Sequence, residues 1–179
     1  MCYGEMDEYI NVVRKMNESS DGPTSVFFAG TLEPSWLNLF GFAIVVLMLV
    51  PNIIYGIKYK ERENLCRNKW MNILEQIGRF ASIFLMIFHV GVAELGFGSV
   101  NAFLVYLFGN IVLLLAYFVI WMLFFKKNTL WKGMALAIIP TFLFLLSGLT
   151  MRHTLLVGSA ILFGIGHIYV SYVNYKEFG

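Results

Sequence analysis

The side chains of this chain best able to do chemistry are polar groups set inside long apolar stretches. Glu75 and Arg79 stand four apart with the carboxylate first, the favourable order for an ion pair on one helix. His89 follows Glu75 by fourteen residues, and His167 comes just after Gly164 and Gly166. Either imidazole can exchange a proton near neutral pH. Asn52 follows Pro51 and Asn110 follows Gly109, and an amide in lipid tends to bond a neighbouring helix. Glu75, Arg79, His89, Asn52, Asn110 and His167 therefore form a candidate polar intramembrane site, because ionisable groups in lipid are costly and rare. Set against this is the plainer reading, in which Glu75–Arg79 fixes the depth of its helix and the other residues are glue between helices. Two histidines on separate helices are no metal site, and the two cysteines, Cys2 and Cys66, supply neither a zinc spacing nor an expected disulfide. No phosphate loop or Ser-His-Asp order is visible, so no catalytic residue and no metal is expected.

The elements that carry these residues follow from composition. Of 179 residues 59% are hydrophobic and 13% charged, too few charges to clothe a soluble domain of this size. About 20 apolar residues in a helix cross a bilayer core of about 30 Å. Five stretches qualify, at 36–57, 72–92, 101–125, 133–150 and 154–175. Pro140 predicts a kink in the fourth. Lys58, Lys60, Arg62, Arg67 and Lys69 follow the first stretch, Lys126, Lys127 and Lys132 the third, and Lys176 the fifth. The intervening loops hold Glu94 and a lone Arg152. Basic loops stay in the cytoplasm. The expected fold is therefore an all-α polytopic membrane protein of five transmembrane helices, amino terminus outside and a cytoplasmic tail at 176–179. The base-rich segment 58–69 lies beside the bilayer, where anionic lipid headgroups are its expected partner rather than nucleic acid.

Residues 1–35 form the expected outer tail. Tyr3, Met6, Ile10, Val13 and Met16 share one face of a short amphipathic helix. Asp21 then reads as a cap and Pro23 as a first-turn residue. The run Asp21-Gly22-Pro23-Thr24-Ser25-Val26-Phe27, followed by Ala29-Gly30 and Leu32-Glu33-Pro34, resembles a motif of the β subunits of sodium-pumping, biotin-dependent decarboxylases. That resemblance covers residues 18–34. It implies a sodium ion held by Asp21 with Thr24 as a neighbouring oxygen, and a half-helix at 26–30 dipping into the bundle. Glu18-Ser19 stands where that family has paired glycines.

Two further likenesses concern residues 36–175. Pro51-Asn52-Ile53-Ile54-Tyr55-Gly56-Ile57-Lys58, with Ile73-Leu74-Glu75-Gln76-Ile77-Gly78-Arg79-Phe80, resembles small multi-spanning membrane proteins of Firmicute bacteria, which implies a bacterial inner-membrane location but no activity. Glu75, Arg79, His89 and His167 also follow in the order used by intramembrane proteases that process prenylated proteins. Leu74 and Leu85 replace that family's first glutamate and the residue four before its histidine, and the missing carboxylate is the one that activates water. The expected function is thus a non-catalytic accessory, scaffold or transport-related subunit, alone as a homo-oligomer or with a membrane-protein partner. A small cation or solute transporter, sodium-linked through Asp21, is the alternative, and an intramembrane hydrolase comes third.

Overall fold

The computed structural model describes residues 37–58, 64–88, 90 and 95–176. They fold into five helices: α1 (Leu39–Lys58), α2 (Lys69–Ile87), α3 (Val100–Lys126), α4 (Leu130–Thr150) and α5 (Thr154–Tyr175). Among the described residues the extended pairing is confined to one bridge, Leu37 to Phe88. Four helices, α1, α3, α4 and α5, are long and apolar enough to cross a membrane, which makes the chain a helical membrane protein. The amino-terminal tail, the 26–30 half-helix, Asp21, Thr24, His89, Glu94 and most of the 176–179 tail lie outside the described residues.

Local chemistry sets the helix ends. Asn68 caps α2 by accepting from the backbone N–H of Trp70 and Met71, and Ser99 caps α3 by accepting from Ala102. α2 stops at Ile87, short of 92, because the Ile87 carbonyl accepts from Asn38 N–H at 2.7 Å and Phe88 turns into the bridge. α4 and α5 form a tight hairpin. Arg152 takes a left-handed backbone (φ 52°) there, and the His153 N–H returns to the Gly148 carbonyl. α4 runs through Pro140 without interruption, and the Thr141 hydroxyl donates to the Ala137 carbonyl one turn back.

α5 is the centre of the packing. On one side it lies against α2, on the other against α4, and α3 packs on the far side of α4. α1 closes the arc more loosely, against α2 and α3. The α2–α5 contact has a constant antiparallel register. Gly166 meets the Glu75 backbone, Gly78 meets Phe163, and Ser82 bonds Ser159, so each step along α2 is matched by an equal step back along α5. A methyl on Gly166 would sit 2.6 Å from the Glu75 nitrogen, and one on Gly78 would sit 2.6 Å from the Phe163 Cα. Glycine is required at both because backbone touches backbone. On its other face α5 uses Gly164, which faces Thr141 of α4.

α3, with no charge before its last residue Lys126, shows how an apolar helix chooses its inner face. Tyr106, Asn110, Leu114, Tyr117, Trp121 and Phe124 recur at spacings of three and four and are buried. Val105, Phe108, Val112, Leu115, Val119 and Met122 point outward. In water such an outer surface would aggregate, whereas in hydrocarbon it is the expected one.

Candidate functional site

α2 is built the opposite way from a water-soluble amphipathic helix. Trp70, Ile73, Ile77, Phe80 and Phe84 form its exposed stripe, while Glu75, Gly78, Ser82 and Met86 form its buried one. Glu75 and Ser82 therefore face the bundle, while Gln76 stays on the exposed side. Glu75, only 5% exposed, is also the only carboxylate among the described residues. An isolated buried carboxylate is untenable, so its surroundings must compensate it.

They do so from two helices. Arg79, one turn along α2, donates from Nη2 to Glu75 Oε1 and forms an ion pair with it. His167 of α5 places Nδ1 at 2.9 Å from the same oxygen. An ionised carboxylate can only accept, so the imidazole carries its hydrogen on Nδ1 and leaves Nε2 as the lone-pair nitrogen when neutral. The ring is held in that orientation by stacking on Phe163, with centroids 4.7 Å apart. Because Phe163 and Gly166 lie at the tight α2–α5 crossing, the charged cluster and the closest backbone approach occupy one place.

A second polar contact crosses the bundle. The Tyr117 hydroxyl on α3 accepts from Asn52 Nδ2 of α1 at 2.9 Å. The same amide nitrogen reaches the Met48 carbonyl, taking up a backbone acceptor next to Pro51. Polar contacts thus join the helices in two pairs: His167 on α5 with Glu75 and Arg79 on α2, and Tyr117 on α3 with Asn52 on α1.

The other sequence candidates fall elsewhere. Asn110 is fully buried, but it donates to Ser147 Oγ at 3.1 Å and to the Tyr106 carbonyl at 2.8 Å, joining α3 to α4 away from the charges. His89 and the pair Asp21 and Thr24 lie outside the described residues. Among the described residues no three His, Cys, Asp or Glu side chains gather as a metal would need. Tyr117, Trp121 and Ser82 escaped the sequence reading. Tyr117 stands seven residues after Asn110, two turns on the same face, and that spacing was the available signal. No family model, no curated protein and no solved structure matches this chain, so its functional reading stands on the geometry above.

Proposed function

We propose that the chain is a five-span protein of a bacterial inner membrane, amino terminus outside, that acts as a non-catalytic accessory, scaffold or transport-related subunit. One observation carries this reading. The Glu75 carboxylate is held by Arg79 of its own helix and by His167 of α5, which joins α2 to α5 at the point where their backbones touch. Arg79 beside Glu75 also makes that carboxylate a poor ligand for a cation such as sodium, since the guanidinium already neutralises it. Buried polar groups that satisfy one another fix which helices meet and in what register.

The fifth span is α2. Its register with α5 runs from Glu75 to Ser82, and its 19 residues measure about 28 Å. Its outward face carries Trp70, Ile73, Ile77, Phe80 and Phe84, with Gln76 as the exposed polar residue among them. The orientation rests on charge: Lys58, Arg67, Lys69, Lys126, Lys127, Lys132 and Lys176 belong to one end of the bundle and Arg152 to the other. The basic end is where anionic headgroups would gather.

Flux separates this reading from the transporter. Proteoliposomes holding the protein are expected to pass sodium and protons no faster than empty ones. Flux above that background that Glu75→Gln abolishes would overturn the accessory reading in favour of the transporter.

A further inference from the structure

Of the side chains that point out of the bundle, Gln76 is the one out of place. It lies on the exposed side of α2 among Ile73, Ile77 and Phe80. These four positions follow the spacing i, i+3, i+4, i+7 and so share one face. Lys69 opens the helix at the basic end, and Gln76 stands seven residues further in, about 10 Å along the axis. With α2 spanning, that depth is hydrocarbon, where an amide loses the bonds that water would give it. Among the described residues nothing replaces them, since no hydrogen bond engages the Gln76 side chain. Asn52 on α1 is exposed as well, yet it is provided for, giving its hydrogens to the Tyr117 hydroxyl and the Met48 carbonyl. On α3 the exposed side chains from Leu104 to Leu123 are all apolar, as a purely lipid-facing surface should be.

We propose that this face of α2 binds the same face of a second copy of the chain, Gln76 to Gln76, across a twofold axis along the membrane normal. An amide both donates and accepts, so two glutamines satisfy each other. Copies inserted in one orientation hold equal residues at equal depth, and a twofold interface brings a patch onto its own counterpart. A second copy therefore supplies the matching amide at the required depth without further provision. A foreign helix would need a polar residue placed there separately. Charge permits the approach. Arg79, three residues beyond Gln76 and 35% exposed, is the charge nearest the seam, and it is already paired with Glu75. The contacts with α5 use the other side of α2, through Gly78 and Ser82, so the dimer leaves the bundle as it is. The proposal rests on α2 crossing the membrane, and it names a second copy as a partner within the accessory reading.

Cysteine cross-linking of the full chain in isolated membranes tests this, in a Cys2→Ser/Cys66→Ser background. With copper phenanthroline as oxidant, Ile73→Cys and Phe80→Cys should give disulfide-linked dimers. Val112→Cys and Leu115→Cys, on the outer face of α3, should not. Energy transfer between donor- and acceptor-labelled copies in liposomes measures the association itself. Gln76→Leu should weaken it about tenfold, the worth of a good hydrogen bond between membrane helices. Gln76→Asn, which keeps an amide, should retain most of it. Leucine at this exposed position raises the apolar content of α2 and disturbs no contact within the bundle, so fold and insertion are preserved. Absent cross-links at positions 73 and 80, equal cross-linking on α3, or unchanged association of Gln76→Leu each overturns the proposal. A cross-link from Ile73→Cys to a different protein also overturns it, because the face would then belong to a foreign helix. The span is read separately with Arg67→Cys and Gly98→Cys. A monomer labelled at these two positions from opposite sides of the membrane overturns the dimer and keeps the fifth span, whereas labelling from one side overturns both.

Discussion

At the residue scale, the structure sorts the polar residues by what each would leave behind if removed. Arg79→Gln takes the counter-charge from a buried carboxylate. Glu75 would remain with His167 alone. Breaking one side of a buried pair costs about 3–5 kcal/mol, and less where, as here, the arginine is partly exposed. The expected loss is about 2 kcal/mol for Arg79→Gln. Glu75→Gln/Arg79→Gln should recover about half of it, because no charge is then stranded. Thermal unfolding of the two variants checks this, and a double variant weaker than the single one would show that the pair does more than neutralise itself. Asn110→Ala offers the contrast. It loses neutral bonds to Ser147 and a carbonyl, and such bonds between membrane helices average about 0.6 kcal/mol. Sequence spacing made the Glu75–Arg79 pair legible, since both lie on one helix four residues apart. It could not show that His167, 92 positions away, joins them, because that depends on the register of two helices.

At the scale of elements, the α2–α5 crossing is the contact most sensitive to volume. Gly158, Ser159, Gly164 and Gly166 are all small residues of the kind that suits close helix packing, yet the structure separates them. Gly166 faces the Glu75 backbone, Gly164 faces Thr141, and Gly158 faces open space. A stretch of small residues announces a close contact, but which member faces the partner depends on helix rotation. Gly166→Ala must push α2 and α5 apart, since backbone cannot give as a side chain can, and overpacking of this kind costs about 1–3 kcal/mol. The Glu75–His167 bond would lengthen with it. Gly158→Ala on the same helix should be neutral or slightly stabilising, because it meets nothing and favours the helix. Unfolding of the two variants in one detergent makes the comparison, and equal losses would exclude the observed register. Arg152 offers a gain. It occupies a left-handed position in the α4–α5 turn where glycine carries no Cβ penalty, so Arg152→Gly should stabilise by about 0.5–1 kcal/mol.

At the scale of the whole molecule, the question is whether α2 crosses. By length and composition four helices qualify as spans and α2 does not, because Asn72, Glu75, Gln76 and Arg79 lower its apolar content. Composition averages over a helix's two faces, and on α2 they differ: the stripe from Trp70 to Phe84 is apolar except for Gln76, while Glu75 is buried and bonded to α5. A helix with its carboxylate turned inward needs a hydrocarbon exterior as much as α3 does. Topology decides between the counts. If α2 crosses, the segments before and after it lie on opposite sides of the membrane. If it does not, they lie on the same side. Arg67→Cys and Gly98→Cys report those two segments, as both positions are exposed. In a Cys2→Ser/Cys66→Ser background, a membrane-impermeant maleimide applied to intact cells should label position 98 and spare position 67. In inverted vesicles the pattern should reverse. Labelling of both positions from one side would reduce the bundle to four spans. Labelling of position 67 alone in intact cells would keep five spans and reverse the orientation, because the basic end would then face outward against the rule that places such clusters in the cytoplasm.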